Sequence, residues 1–230
     1  MKENYQILKD YPELFDAFVY DNSGEFLKAL ELYHSIFDKN HDNSIILKLI
    51  ARAYYRLGMF EDSVIYYQKC LEANDNNARL WYELGLAYYR MAKLLKALEC
   101  MEKSLEIDPD FILAYFKAGI INLHYDRLYR AKENFEKIVN KRPNFGIAHY
   151  YLATICVKLG HYKEALNFID ELLKRTPDNP VALIVSAEAL YKLGEKAEAK
   201  IKLQKVLNID PENYKIRRFL MDIDEGIDIF

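Results

Sequence analysis

Cysteine is scarce in this 230-residue chain, which contains Cys70, Cys100 and Cys156 and no other. Because three is an odd number and no two are closely spaced, the sequence favours neither a disulfide framework nor a cysteine-rich metal site. The first eighteen residues also lack an uninterrupted apolar segment of the signal-peptide type. We therefore expect reduced thiols and a cytoplasmic location.

Long apolar runs and an excess of positive charge are missing as well. No stretch approaches the roughly 18 uncharged apolar residues that a membrane-spanning helix needs, so we expect no membrane segment. The 32 basic and 35 acidic residues give a formal net charge of −3, which argues against a nucleic-acid or membrane-surface partner. With 51% hydrophobic and 29% charged residues, the composition is that of a soluble folded protein.

Motifs that carry chemistry are also lacking. The sequence has no G-x-S-x-G, no P-loop and no dinucleotide-binding fingerprint. The five histidines do not combine with cysteine, aspartate or glutamate at a spacing typical of metal sites. We therefore expect no enzymatic activity, no cofactor and no bound metal.

Glycine and proline are few, at eight and six residues, but they recur at regular positions. Four prolines, beginning with Pro109, are spaced 34 residues apart, and four alanines, beginning with Ala97, keep the same spacing. Six of the eight glycines fall at two positions of this period. A period of this length indicates a solenoid built from helical hairpins.

The segment 78–111, ARLWYELGLAYYRMAKLLKALECMEKSLEIDPDF, carries the most complete copy of the pattern. Trp81, Leu84, Gly85 and Tyr88 share one side of a first helix, and Pro109 closes the unit after a second helix. The chain thereby resembles the tetratricopeptide repeat family. The resemblance implies an all-α fold, a right-handed superhelical solenoid of antiparallel helix pairs whose first helices line a concave groove.

This register divides the chain into six repeats without an insertion or a linker, so we expect a single solenoid domain. Residues 1–9 precede the repeats, and residues 214–230 follow them as a capping helix and a tail, because Ile216, Phe219, Leu220 and Ile223 have amphipathic spacing. The predicted repeats are 10–43, 44–77, 78–111, 112–145, 146–179 and 180–213.

The resemblance further implies a non-catalytic scaffold or adaptor that binds a protein or peptide in the groove. The family's groove positions, carried over to this sequence, hold seven basic and two acidic residues, so we expect an acidic and apolar peptide or helix as the partner. The candidate groove residues are Lys48, Arg52, Tyr55, Arg56, Arg79, Tyr82, Leu86, Tyr89, Arg90, Phe116, Ile120, His124, Tyr150 and Lys158.

Three other interpretations stay open at this point. The tail DIDEGIDIF combines acidic and apolar residues, so it could enter the groove of another copy, or copies could join end to end, giving a weak homo-oligomer. Tyr55, Tyr82 and Tyr89 lie among basic residues and could stack nucleic-acid bases, although the net negative charge disfavours phosphate. Some aromatic candidates could instead pack between neighbouring helices.

Overall fold

The computed structural model describes residues 11–39 and 44–225. Across these residues the chain forms thirteen α-helices, one 3-10 turn at Pro12–Leu14 and no strand, so the all-α prediction is confirmed. The predicted N-terminal segment 1–9, residues 10 and 40–43 of the first repeat, and tail residues 226–230 lie outside the described residues. The helices are α1 (Phe15–Ser23), α2 (Phe26–Lys39), α3 (Ser44–Leu57), α4 (Phe60–Ala73), α5 (Ala78–Arg90), α6 (Leu94–Ile107), α7 (Ile112–His124), α8 (Leu128–Lys141), α9 (Gly146–Lys158), α10 (Tyr162–Leu173), α11 (Pro180–Lys192), α12 (Lys196–Ile209) and α13 (Tyr214–Glu225).

Consecutive helices pack as hairpins, and a left-handed residue makes each tight turn within a hairpin. Four of these turns use glycine, at φ values between 76° and 85°. The other two place Ala92 at φ 57° and Asp126 at φ 53°. Because the left-handed conformation reverses the chain immediately after a helix, the following helix packs back against the first.

Small residues allow the two helices of a hairpin to approach closely. A Cβ atom on Gly85 would lie 2.5 Å from Met101 Cε and 2.9 Å from Cys100 Cβ, and one on Gly119 would lie 2.8 Å from Phe135 Cζ. These distances are shorter than van der Waals contact, so the 34-residue recurrence of small residues follows from helix packing.

The first of two compact units ends at Ala114. Its core near the N-terminal end joins α1, α2 and α3 through side chains such as Phe18, Tyr33, Ile46 and Ile50, all at most 3% exposed. Further along this unit, α4, α5 and α6 bury Tyr67, Leu84 and Met101. This unit carries most of the predicted groove candidates.

The second unit begins at Tyr115. Phe135 is fully buried in α8 and stacks on Tyr151 of α9, with ring centroids 4.8 Å apart. At the C-terminal end, α13 buries Ile216, Phe219 and Ile223 in the same apolar cluster as Leu203 of α12. The terminal helix therefore covers an apolar surface that α11 and α12 would otherwise leave exposed.

Ala92 offers a direct test of the turn geometry. Its N–H donates to Tyr89 O at 3.0 Å and the N–H of Lys93 donates to Tyr88 O at 2.9 Å, which is the pattern of a helix end that favours glycine. A Cβ atom in the left-handed region is strained, so we expect Ala92→Gly to raise the free energy of unfolding by about 0.5 to 1 kcal/mol. Urea unfolding measures the change.

The control for this prediction is Lys205→Gly, which replaces an exposed residue in the interior of α12. Glycine costs conformational entropy in a helix interior, so the control should lose stability by a similar amount. A loss of stability in Ala92→Gly comparable to that in the control would contradict the proposed strain.

Candidate functional site

Nine of the fourteen candidate residues lie on α3 and α5 in the first unit. On α3 the spacing of Lys48, Arg52, Tyr55 and Arg56 puts them on one side of the helix. The five on α5 likewise share one side. We call these nine residues the basic face; its α5 members are Arg79, Tyr82, Leu86, Tyr89 and Arg90.

Four residues of the basic face line a small pocket of about 220 Å³. They are Arg52, Tyr55, Arg56 and Leu86, and two residues that the groove positions did not predict, Tyr67 and Glu83, complete the lining. Sites for small molecules and cofactors usually enclose about 300 to 1,000 Å³. The pocket therefore has the size to accept a single side chain of a larger ligand.

Two of the predicted cations are already paired within the unit. Arg56 Nη1 lies 2.6 Å from Asp21 Oδ1, and its guanidinium lies 5.4 Å from the Phe26 ring centroid. Arg79 Nε donates to Glu83 Oε1 at 3.1 Å. The positive charge of the basic face is consequently smaller than the sequence count suggests, since Glu83 was not among the groove positions.

Arg52 and Arg90 are the two arginines of this face whose positive charge is not balanced by an ion pair among the described residues. Within residues 11–39 and 44–225, neither has a carboxylate oxygen within 4.0 Å of its guanidinium. The Arg90 guanidinium lies 4.7 Å from the Phe60 ring centroid and 6.0 Å from that of Tyr55. Arg52 is half-buried at the pocket. The two aromatic rings position the Arg90 guanidinium without neutralising it.

The tyrosines of the basic face are partly committed to packing. Tyr55 meets Phe60 edge to face with ring centroids 5.5 Å apart, and Tyr82 meets Phe111 in the same manner at 5.1 Å. Burial raises the pKa of the Tyr82 phenol, and the nearby Tyr55 and Glu83 add to the rise. Tyr82 is therefore a neutral hydrogen-bonding group whose ring is held in place by a neighbour.

The remaining five candidates lie in the second unit, on α7 and α9, and none of them lines the small pocket. Phe116 has the rings of Phe135, Phe145 and Tyr151 around it at 5.8 to 6.1 Å. Tyr150 meets Tyr151 of the same helix at 5.4 Å and is partly buried against the apolar cluster that contains Ile169 and Leu183. These aromatic residues pack between helices. The other three are Ile120, which is half-buried, and His124 and Lys158, which are exposed at the ends of α7 and α9.

The described part of the acidic tail also has partners within its own unit. Asp224 forms an ion pair with Lys200, and Asp222 Oδ2 lies 3.9 Å from Arg218 Nε. Ile223 is 3% exposed. The start of the tail is therefore part of the terminal helix packing, and residues 226–230 of the predicted tail segment are outside the described residues.

Two other kinds of feature are absent from residues 11–39 and 44–225. No helix in this part of the chain combines the length and apolar character needed to cross a membrane. Among the same residues, no group of three or more histidine, cysteine, aspartate or glutamate side chains is arranged to hold a metal ion.

Helical hairpins that recur every 34 residues, with small residues at the helix contacts, define a helical-repeat protein. The chain belongs to the tetratricopeptide repeat family, since models of that family match residues 49–77, 78–111, 125–181 and 162–220. No curated protein matches the chain in sequence.

Solved structures with this fold include several proteins of low sequence identity. YrrB, described as a TPR protein with an unusual peptide-binding site, superposes with a TM-score of 0.72 at 17% identity, covering 81% of this chain and 96% of YrrB. MamA from Desulfovibrio magneticus gives 0.68 at 16% identity, covering 75% and 97%. PilF of Pseudomonas aeruginosa gives 0.72 at 15% identity, covering 92% and 96%. At these identities the likeness concerns the fold alone.

Proposed function

We propose that this protein is a non-catalytic scaffold that binds an acidic and apolar protein segment at its basic face. The tetratricopeptide repeat fold is one that presents surfaces to protein partners. The observation that carries the proposal is the placement of Arg52 and Arg90, two cations without a carboxylate partner among the described residues, beside a pocket that also contains Leu86.

The chemistry of this surface selects the partner. A carboxylate of the ligand can accept hydrogen bonds from a guanidinium, and charge-assisted bonds of this kind are about twice as strong as neutral ones. An apolar side chain beside that carboxylate can enter the small pocket against Leu86 and Tyr55. Arg and Tyr are also the residue types most enriched among the energetically dominant residues of interfaces. An affinity in the micromolar range, about −8 kcal/mol, is expected for a site of this size.

The likeness to YrrB adds support of a general kind. YrrB has a peptide-binding site by its own description, and its fold matches most of this chain. At 17% identity, nothing residue-specific is carried over.

Selection from a random peptide library tests the proposal. The full chain is the target, and a variant carrying Arg52→Glu and Arg90→Glu serves for counter-selection, so that only peptides dependent on the basic face are retained. We expect the retained peptides to share aspartate or glutamate beside leucine, isoleucine or an aromatic residue.

Two results would overturn the proposal. One is a retained set without acidic residues, and the other is the absence of any peptide that distinguishes the variant from the original chain. If a single-stranded oligonucleotide binds at the basic face instead, its affinity should fall steeply with salt, and the nucleic-acid interpretation would replace the present one.

A further inference from the structure

A second and larger cavity, of about 870 Å³, lies in the first unit between α4 and α6. Trp81, Leu84 and Tyr88 of α5 contribute to its lining. Successive side chains of a helix are rotated by about 100° around its axis, so these three point away from the side of α5 that carries the basic face. We call this cavity the acidic pocket, because five carboxylates and only two ammonium groups line it: Glu72, Asp75, Glu99, Glu102 and Glu106, with Lys96 and Lys103.

The 34-residue period explains why the pocket is open here. One repeat earlier, a second ring occupies the equivalent position, because Tyr66 stacks on Tyr54 with ring centroids 5.4 Å apart and an interplanar angle of 23°. Tyr88 is the counterpart of Tyr54, but the residue 34 positions after Tyr66 is Cys100. The Cys100 thiol is much smaller than the phenol ring of Tyr66, so it leaves a volume beside Tyr88 empty.

The side chain that contacts the hydroxyl of this tyrosine has a polar counterpart in both repeats. In the earlier repeat, His34 Nε2 and Tyr54 Oη lie 3.1 Å apart. Its counterpart Gln68 donates from Nε2 to Tyr88 Oη at 3.3 Å. The phenol of Tyr88 is thus held in place while no second aromatic ring covers it among the described residues.

The lining shows what chemistry the pocket accepts. Lys96 Nζ lies 5.5 Å from the Tyr88 ring centroid, so the chain already places a cation at this ring. Lys103 is paired with Glu106, with Nζ and Oε2 2.7 Å apart, which leaves most of the carboxylates without an ammonium partner from this lining. Leu71 and Leu84 supply an apolar floor.

We propose that the acidic pocket is a second docking site, for a partner segment that carries arginine or lysine beside a bulky apolar side chain. The cation of the partner displaces Lys96 from the Tyr88 ring and lies among the carboxylates, and the apolar side chain packs on Leu71 and Leu84. The two sides of α5 then bind segments of opposite charge. The scaffold can hold two different partners on one repeat.

The single tryptophan of the chain makes the test direct. Trp81 lies at the pocket and its Nε1 donates to Asp75 O at 2.7 Å, so an occupant changes its fluorescence. The probes are a synthetic peptide of alternating leucine and arginine and its counterpart with glutamate in place of arginine. We expect the arginine peptide to shift Trp81 emission saturably, and the glutamate peptide to leave it unchanged.

Two variants of the full chain identify the site. Cys100→Tyr restores the ring found one repeat earlier and should weaken the arginine peptide at least tenfold by filling the pocket. Glu99→Gln with Glu102→Gln keeps the shape and should weaken it about fivefold. The matched control, Glu133→Gln with Glu198→Gln, removes two exposed carboxylates elsewhere and should leave the affinity unchanged.

The proposal is overturned if the arginine peptide fails to shift Trp81 emission, or if it binds both pocket variants as tightly as the original chain. If the Cys100→Tyr variant does not fold, the affinity of the double glutamate-to-glutamine variant of the pocket decides the test. It is also overturned if the chain by itself forms a dimer that Cys100→Tyr dissociates, because the occupant is then a second copy. If the arginine peptide still binds a chain that carries Arg52→Glu and Arg90→Glu, its site is distinct from the basic face.

Discussion

Replacing Arg52 and Arg90 by glutamate is expected to weaken binding of an acidic and apolar peptide by about 100-fold. Each guanidinium would form a charge-assisted hydrogen bond with the ligand, and such bonds contribute about 1.5 to 3 kcal/mol. The loss of two, at about 3 kcal/mol in total, corresponds to a factor of about 100 in the dissociation constant. Fluorescence anisotropy of a labelled peptide from the library measures the change.

The control for this variant keeps its change in net charge. Lys137 and Lys163 are exposed in the second unit, and replacing both by glutamate alters the charge of the chain equally. We expect less than a threefold effect from this pair at physiological salt, where exposed charges are screened over about 8 Å. Equal weakening by both double variants would show that net charge, and not the basic face, governs binding.

Arg56 provides a second comparison within the same face. It is paired with Asp21 at 2.6 Å, so its charge is already balanced. Arg56→Gln should therefore weaken the peptide less than Arg52→Gln does. The reverse order would mean that the ligand competes successfully for Arg56 and that the internal pair opens on binding.

Replacing Phe135 by alanine is expected to lower the free energy of unfolding by about 3 to 5 kcal/mol. The ring is fully buried, stacks on Tyr151 at 4.8 Å and meets Phe116 at 5.8 Å. Its removal leaves a cavity that the neighbouring helices fill only in part. Chemical denaturation followed by circular dichroism measures the loss, and hydrogen exchange should show the greatest loss of protection in α7, α8 and α9.

Tyr129→Ala is the matched control for the Phe135 prediction. It also replaces an aromatic residue of α8, but one that is 65% exposed. The expected change is within about 0.5 kcal/mol. If hydrogen exchange in Phe135→Ala instead increased uniformly across all described helices, stability would not behave as a sum over neighbouring repeats, as a solenoid requires.

Much of the fold follows from the sequence because helix packing restricts residue size at regular intervals. Gly85 and Gly119 lie where a Cβ would collide with the paired helix, and that restriction is visible in the sequence as a 34-residue recurrence. The turn at Ala92 follows too, since the period places it where four of the other five repeats have glycine. These features depend only on the position of each residue along the backbone of its repeat, and the repeat register predicts that position.

The candidate site was less predictable because side-chain pairing depends on neighbours that the register does not reveal. The register predicts that Arg56 lies on the groove side of the first helix of its repeat. It does not predict the contact of Arg56 with Asp21 on α1. Glu83 follows the predicted Tyr82 directly and stands four residues after Arg79, a spacing that signals a helical ion pair. Phe116 occupies a groove position, yet three neighbouring rings surround it.

The opening beside Cys100 shows a feature that the sequence contains but that only packing explains. The substitution of tyrosine by cysteine across one period is visible by comparison of Tyr66 with Cys100. Its relation to the cavity of about 870 Å³ becomes apparent only from the structure, in which Tyr66 stacks on Tyr54 one repeat earlier. Comparison of repeats with one another can therefore locate sites as well as define the fold.

Photo-cross-linking at Tyr89 tests the central claim most directly. Replacing Tyr89 by p-benzoylphenylalanine puts a reactive ring on the basic face between Leu86 and Arg90, and the same replacement at the exposed Tyr129 is the control. We predict that an acidic and apolar peptide from the library cross-links at position 89 and not at position 129. Cross-linking at 129 alone, or equally at both positions, would contradict the assignment of peptide recognition to the basic face.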